Sequence, residues 1–418
     1  MPDINQEFQK AINFQKEGKF NEAESIYINI LKSDGGNVGA LVNLGLLEQQ
    51  RGRLDEALQF YKSAYSKQPK NFHVLYLLAK LTQELSLLDE AVSYWQSLLD
   101  VKPGSAVEYY GNIGNCWVQQ GKFDEALSYF RKALQVSPNS HQAHQAIGNL
   151  FVRQNRLAEA KEEFANAIKI NPNYTIAKIW FTLVHKLLNG ENRVSFTHRG
   201  VPVEFDLTGK NLAVEVANAA GSFYELPELE FIYENLRDKN ITVLDVGTNV
   251  GNHLVYFSKI MNVAKVIPTE FHPTVIEHLK KHIAINQINN VDLSKLGYAV
   301  GKSRGKAVID EHPAQDWCLT EVNFDSPSVA IAPSIEVVPL DELITEKVGF
   351  IKVDIQGSEM DALEGGRNLF FTSQPEALVE VTKAHVKDFL NFVESIQYQT
   401  IKTFDHGRYV NFYIKPVK

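Results

Sequence analysis

The chain has 418 residues, 44% of them apolar and 22% charged, with a net charge of −8. That length asks for two or three cores, and that balance excludes a largely disordered chain. Residues 1–190 carry 20 basic and 19 acidic side chains and residues 191–418 carry 22 and 31, a distribution that argues against a nucleic-acid partner.

Read from the first residue, the sequence repeats. "GKFNEAESIYINILKSDG", "GRLDEALQFYKSAYSKQP", "SLLDEAVSYWQSLLDVKP", "GKFDEALSYFRKALQVSP" and "NRLAEAKEEFANAIKINP" align without gaps. Alanines recur at Ala23, Ala57, Ala91, Ala126 and Ala160, and an aromatic follows each four positions later, at Tyr27, Tyr61, Trp95, Phe130 and Phe164. Upstream, Ala11, Gly45, Ala79, Gly114 and Gly148 share one small position, while Pro69, Pro103, Pro138 and Pro172 close four of the units. Small residues let antiparallel helices approach closely, residues four apart share a helix face, and proline stops the second helix. The pattern resembles the tetratricopeptide repeat, about 34 residues of helix–turn–helix that stack into a solenoid with a concave face.

The expected units are 4–37, 38–71, 72–106, 107–140 and 141–174, with a capping helix over 175–189, so that 1–190 forms an all-α solenoid. Asn43, Gln49, Asn112, Asn115, Gln119, Gln120 and Asn149 fall on the first helices, which line the concave face. Amides there suit an extended peptide main chain, and the scarcity of lysine argues against a clamp for peptide carboxylates. A protein or peptide partner is therefore expected on this face.

After Asn189-Gly190 the period is lost. Residues 191–240 read as a linker and lead-in segment of short strands and turns, and 241–418 as a second domain. There "ITVLDVG", "AKVIPTEF", "SKLGYAVG", "GFIKVDIQ" and "EALVEVT" alternate with helical patterns, which predicts a Rossmann-like α/β domain with a mainly parallel sheet. "YQTIKTFD" and "RYVNFYIKP" flank "HGR" and predict an antiparallel edge hairpin, giving seven strands.

The chemistry is concentrated in "VLDVGTNVGNHLVYFSK". A nicotinamide-dinucleotide turn needs three glycines so that a pyrophosphate can sit on the helix start. Here Asn249 stands at the middle position between Gly247 and Gly251, and that reading fails. The stretch resembles motif I of class I S-adenosylmethionine-dependent methyltransferases. With "TEFHP", "HIAINQINNV", "LGYAVG", "VVPLDELI" and "GFIKVDIQGSEMDALEGG" in order, residues 240–383 resemble the FkbM-type methyltransferases, and "AGSFYELPELEFIYENL" resembles the helix that precedes their domain. Thr248 stands where alanine is usual in that family, and Gln356 where an acid is common.

The resemblance implies S-adenosylmethionine as cofactor. It implies that Asp245 holds the ammonium end, that Gly247 and Gly251 give clearance under the ligand, and that Asn249 and Asn252 join the cofactor contacts of the turn. A carboxylate at the next strand tip, Glu270, suits the ribose hydroxyls, with Phe271 beside the adenine and Ala299 near its main-chain contacts. Asp354, at the end of the fourth strand, is the candidate base for an acceptor hydroxyl. Glu359 and His385 are the further catalytic candidates, and Glu380 lines the acceptor pocket with His385. A divalent metal on Asp354, Glu380 and His385 has no close-spaced ligand motif behind it, so no metal ligand is assigned.

FkbM relatives act mainly as O-methyltransferases, so the expected acceptor is a saccharide or related metabolite hydroxyl. Methylation of a protein held by the repeats and a non-catalytic adaptor are the alternatives. No run reaches the roughly 20 apolar residues of a membrane helix, and the first residues lack a secretory signal. With only Cys116 and Cys318, in different predicted domains, a reducing cytoplasm is expected.

Overall fold

The computed structural model describes residues 4–237, 239–310, 321–323, 334–355 and 357–417. They form two compact units, Met1–Ile147 and Gly148–Lys418.

The first unit is helical: α1 (Ile4–Lys16), α2 (Phe20–Ser33), α3 (Val38–Gln50), α4 (Leu54–Lys67), α5 (Phe72–Glu84), α6 (Leu88–Val101), α7 (Ala106–Gln119), α8 (Phe123–Val136) and the start of α9 (His141–Arg153). The repeated small position receives the repeated aromatic. A Cβ added to Gly45 would lie 2.3 Å from the Tyr61 ring, and one added to Gly114 would lie 2.4 Å from Phe130. Tyr27, Tyr61, Trp95 and Phe130 are buried in consequence. A second tie repeats with the units, because Tyr27, Tyr61 and Trp95 donate to Gln15, Gln49 and Gln83 at 3.3, 3.0 and 3.2 Å. The prolines stand two residues beyond the ends of α4, α6 and α8, where a missing N–H costs nothing to the helix. Asn37 and Asn71 cap α3 and α5 by accepting backbone N–H groups, as asparagine at an N-cap does.

The second unit holds the rest of α9, then α10 (Leu157–Ile170) and α11 (Thr175–Leu188). Phe164 fills the space at Gly148, where an added Cβ would be 2.6 Å away. On its other side Phe164 stacks on Trp180 of α11, with ring centroids 5.8 Å apart. The capping helix also turns inward, since Leu183 shares a core with Val194, Val243 and Phe350. A hairpin of β1 (Arg193–His198) and β2 (Val201–Asp206) follows. Its two-residue turn, Arg199-Gly200, has φ of +49° and +78°, as the twist-matching hairpin turn requires.

After α12 (Leu212–Ala219) and α13 (Leu226–Leu236) comes a six-stranded sheet. Its strands are β3 (Thr242–Val246), β4 (Lys265–Thr269), β9 (Phe350–Val353), β10 (Glu376–Thr382), β11 (Tyr398–Asp405) and β12 (Tyr409–Pro416), in the order β11-β12-β10-β9-β3-β4. Pairings among β10, β9, β3 and β4 are parallel, and β12 runs antiparallel to both β10 and β11. The predicted hairpin therefore closes one edge. Alternate residues feed two cores: Leu244, Val246, Ile351 and Val353 on one face, Val243, Phe350 and Leu378 on the other.

The strand predicted from "SKLGYAVG" does not become the seventh member. It forms β5 (Tyr298–Val300), which pairs with β8 (Ser334–Val338) in a separate sheet completed by β6 (Gly305–Asp310) and β7 (Glu321–Asn323). The cause is local. Val266 of β4 already exchanges hydrogen bonds of 2.9 Å with Asn290 and Asp292, so the edge of β4 is taken before the chain reaches β5.

Chain order places β9 on the far side of β3 from β4. The connections thus diverge between β3 and β9, the switch point where an open α/β sheet leaves a crevice at its carboxyl ends.

Candidate active site

The glycine turn sits at that crevice. Gly247 and Gly251 have φ of +77° and +91°, a region costly for side chains. A Cβ on Gly247 would lie 2.0 Å from the Asp354 carbonyl oxygen, and one on Gly251 2.5 Å from Leu279 Cδ1. Gly247 is therefore demanded by a backbone neighbour and Gly251 by its own backbone conformation, reasons separate from the ligand clearance suggested by the sequence. Asn249 also has positive φ, +51°, which asparagine tolerates better than most residues. Its side-chain oxygen accepts from Val250 N–H at 2.8 Å and Asn211 Nδ2 at 2.9 Å. The turn leads into α14 (Asn252–Val255) and a π-helical segment, Tyr256–Ile260.

Asp245 is buried. Thr248 Oγ1 donates to its Oδ2 at 2.6 Å, so the threonine that departs from the family pattern supports the acid. Asp245 Oδ1 is enclosed with no hydrogen-bond partner among the described residues. Glu270 receives backbone N–H bonds from Asn249, Phe271 and His272 at 3.1, 2.9 and 3.0 Å. Burial nevertheless raises its pKa above the usual carboxylate range, with those N–H bonds opposing the rise. Phe271 packs with Ala299, Ala307, Ile335 and Val337, so two residues expected beside an adenine share one apolar wall. Asn252 is engaged elsewhere, because its amide accepts from Tyr224 N–H and donates to Tyr224 O, both at 3.1 Å. The expected donor set for S-adenosylmethionine is otherwise compatible with the structure, through the orphaned Asp245 oxygen and the Glu270 carboxylate beside the Phe271 wall.

The second half of the site is built on β9. Lys352 stands opposite Asp245 in the β3–β9 register, is 2% exposed, and reaches Asp354 Oδ2 at 2.8 Å. Burial works against its charge, but Asp354, Asp245 and Glu225 outweigh that and hold its pKa above the ordinary lysine value. Glu380 extends β10 one step past the Val379–Val353 pairing, and burial, reinforced by Asp354 and Glu225, pushes its pKa well up. Glu359 is fully buried at the start of the helix Glu359–Gly365. One of its oxygens accepts from Gly357 N–H at 2.7 Å, and Oε2 is unpartnered among the described residues. Burial raises its pKa, while His385 acts in the opposite direction. His385 itself is half-buried and meets Thr382 Oγ1 at 3.2 Å. Asp354, Glu359, Glu380 and His385 are thus electrostatic neighbours. No ligand atoms of Asp354, Glu380 and His385 converge among the described residues as those of a metal site would. Gln356 and Cys318 lie outside the described residues.

The sequence reading missed the partners that arrive from the lead-in segment and the edge hairpin. Tyr224 OH meets Tyr409 OH at 2.9 Å, and Asn411 Nδ2 donates to Glu225 Oε1 at 3.0 Å. Glu225 has φ of +54° just before α13, and its Oε2 is 3.2 Å from His253 Nε2. Burial opposes its charge, yet His253 and Lys352 hold its pKa below the usual carboxylate range. The available signal was the cluster of acids in "FYELPELEF", which sets Glu225 and Glu228 at the start of one helix.

In the repeats, several expected peptide-facing amides bind the protein itself. Asn43 donates to Gly39 O, Gln49 accepts from Tyr61, and Gln120 donates to Asp89. Asn112 Nδ2 and Asn149 Oδ1 are buried without a partner among the described residues.

Comparison with known proteins agrees with this arrangement. The family profile described as the methyltransferase FkbM domain matches residues 245–407. Four tetratricopeptide repeat profiles match residues 8–72, 48–111, 107–140 and 141–174. No curated protein matches the chain. Among solved structures, the chain is similar to MamA at 20% identity, covering 41% of this chain and 93% of that one with a TM-score of 0.37. A tetratricopeptide repeat protein from Parabacteroides merdae is 25% identical over 45% of this chain and 74% of its own, with a TM-score of 0.40. YrrB, described as a TPR protein with an unusual peptide-binding site, is 22% identical over 42% and 90%, with a TM-score of 0.37. No helix among the described residues is long and apolar enough to cross a membrane. The chain carries tetratricopeptide repeats followed by an FkbM methyltransferase domain.

Proposed function

We propose that this chain is an S-adenosylmethionine-dependent O-methyltransferase whose acceptor is a hydroxyl of a saccharide or related metabolite, with the repeats recruiting a protein partner. The observation that carries the cofactor reading is the buried Asp245 oxygen that has no donor among the described residues, set beside a glycine turn and a strand-tip carboxylate. Asp245 would meet the ammonium end, Glu270 the ribose, and Phe271 with Ala299 the base. Bound there, the cofactor supplies a methyl group on a sulfonium, a good leaving group, so alignment and proton removal fall to the protein.

Asp354 is the residue for proton removal. It lies at the crevice, its carboxylate paired with Lys352 at 2.8 Å, and a carboxylate there can accept a hydroxyl proton. Glu380, its pKa raised by burial, is suited to donate a hydrogen bond to a second hydroxyl of a polyol. A ring of Asp354, Glu359 and Glu380 with Tyr224 and Tyr409 nearby fits a polyhydroxylated neutral acceptor better than an anionic one. A cytoplasmic location fits the reading. Methylation of a protein delivered by the repeats is the second reading, motivated by the match of residues 8–174 to tetratricopeptide repeat profiles.

The test is transfer of a tritiated methyl group to a cell lysate by the full chain, with product split into glycan, small-molecule and protein fractions. Label in the first two, reduced on the order of 100-fold by Asp354→Asn, supports the proposal. Label confined to protein overturns the acceptor class, and no label overturns the activity.

A further inference from the structure

Two glutamates three residues apart flank the start of α13, and the β11–β12 turn brings a histidine to them. The ligand-capable atoms of Glu225, Glu228 and His406 lie within 4.8 Å of one another. Glu225 is the N-cap residue of α13, with φ of +54°, and Glu228 lies in its first turn, so one helix start carries both carboxylates. Glu225 and Glu228 are buried and His406 is exposed.

Two buried carboxylates this close repel each other unless positive charge is supplied. Part of the compensation is visible, in neutral donors as well as in the Lys352 charge that acts on Glu225. His406 Nε2 meets Glu228 Oε1 at 2.5 Å, Asn411 Nδ2 lies 3.0 and 3.4 Å from Glu225 Oε1 and Glu228 Oε1, and Tyr409 OH lies 3.4 Å from Glu225 Oε1. His253 Nε2 stands 3.2 Å from Glu225 Oε2. The remaining oxygen, Glu228 Oε2, belongs to a side chain with no exposure and has no hydrogen-bond partner among the described residues. It belongs to the same carboxylate cluster and lacks a donor or cation among the described residues.

We propose that Glu225, Glu228 and His406 form a seat for a divalent transition-metal ion. Two carboxylate oxygens and one imidazole nitrogen are a mixed donor set. It suits Mn²⁺ or Zn²⁺ better than Ca²⁺ or Mg²⁺, which take oxygen donors. Asn411, touching both carboxylates, is the outer partner that orients them. The seat adjoins the Tyr224–Tyr409 hydroxyl pair, which places it on the acceptor side of the site described above. Its relevance to methyl transfer rests on the proposed function. Metal binding itself does not, so the two are measured separately.

The experiment titrates metal-free full-length protein with Mn²⁺, following loss of the free-ion electron paramagnetic resonance signal, with Zn²⁺ as competitor. Wild type is expected to bind Mn²⁺ at one site from which Zn²⁺ displaces it. Glu228→Gln and His406→Gln are each expected to weaken binding by ~10-fold or more, and Asn411→Ala by about 10–100-fold. Glu336→Gln, an exposed carboxylate paired with Arg304, is expected to bind as wild type does. His406 is exposed, so its variant keeps the test valid if Glu228→Gln fails to fold. Absence of Mn²⁺ and Zn²⁺ binding by wild type, or unchanged binding by His406→Gln, overturns the proposal. S-adenosylhomocysteine calorimetry on the same samples reports the cofactor site independently.

Discussion

Replacing Lys352 by methionine isolates one charge at the centre of the site. The two side chains are similar in length and methionine fills irregular space well, so little cavity is left and the loss is mainly electrostatic. Lys352 is 2% exposed and 2.8 Å from Asp354 Oδ2, with Asp245 beside it on the neighbouring strand. Removing one partner of such a buried pair costs roughly 3–5 kcal/mol, because the remaining charge is left uncompensated. In a unit of this size about 1 kcal/mol corresponds to roughly 2–4 °C, so the melting point is expected to fall by ~6–20 °C. The pH dependence separates charge from packing. Burial works against the Lys352 charge, but Asp354, Asp245 and Glu225 hold its folded-state pKa above the unfolded value. Its contribution is therefore complete below the ordinary lysine pKa of about 10.4 and is lost as pH rises beyond that. Urea unfolding of wild type and variant is expected to show a gap that is steady around neutral pH and narrows above about pH 10.4. Adding Asp354→Asn to Lys352→Met is expected to recover part of the loss, as coupled neighbours do. A gap below ~1 kcal/mol that does not change with pH would refute the ion-pair reasoning and leave Lys352 as a packing residue.

Three further perturbations test the surroundings. Gly247→Ala sets a Cβ 2.0 Å from the Asp354 carbonyl at a φ of +77°, and is expected to lower stability by ~2–5 kcal/mol in protein free of cofactor. Unchanged stability with lost cofactor binding would instead assign the glycine to ligand clearance alone. Thr248→Val removes the only described donor to Asp245 Oδ2 and is expected to cost about 1–3 kcal/mol in urea unfolding; a neutral result would mean that Lys352 suffices for Asp245. Glu380 has a folded-state pKa raised above its unfolded value, so its contribution turns destabilising as pH rises above the usual carboxylate pKa of about 4.3. Glu380→Gln is expected to raise the melting point at neutral pH and to have little effect at the acid end, and an equal effect at both would contradict the assignment.

What was legible in the sequence followed from local rules. The repeats were readable because each small residue and each aromatic recur at fixed spacing and need one another, as Gly45 with Tyr61 and Gly114 with Phe130 show. Strand identity was readable from apolar runs, but strand membership was not. β5 was recognised and assigned to the wrong sheet, because the edge of β4 is closed by Asn290–Asp292 through backbone bonds that no side-chain pattern announces. Asp245, Glu270 and Asp354 stand out as candidates in the sequence because each falls at a strand end. The motif around Lys352 gives it no role, since an apolar pattern does not reveal that Asp245 and Glu225 face it. Tyr224, Glu225, Tyr409 and Asn411 were missed for a different reason. They meet across more than 180 residues of chain, and such contacts leave no spacing to read.

The central claim is that an adenosine-bearing sulfonium ligand lies over the glycine turn with its sugar on Glu270. Calorimetric titration of the full chain with S-adenosylhomocysteine, for wild type and Glu270→Ala, tests it most directly. The account predicts one site in wild type and an affinity lower by ~10–100-fold in the variant, the worth of hydrogen bonds to a charged group. No heat of binding in wild type, or equal affinity in the two proteins, would contradict it.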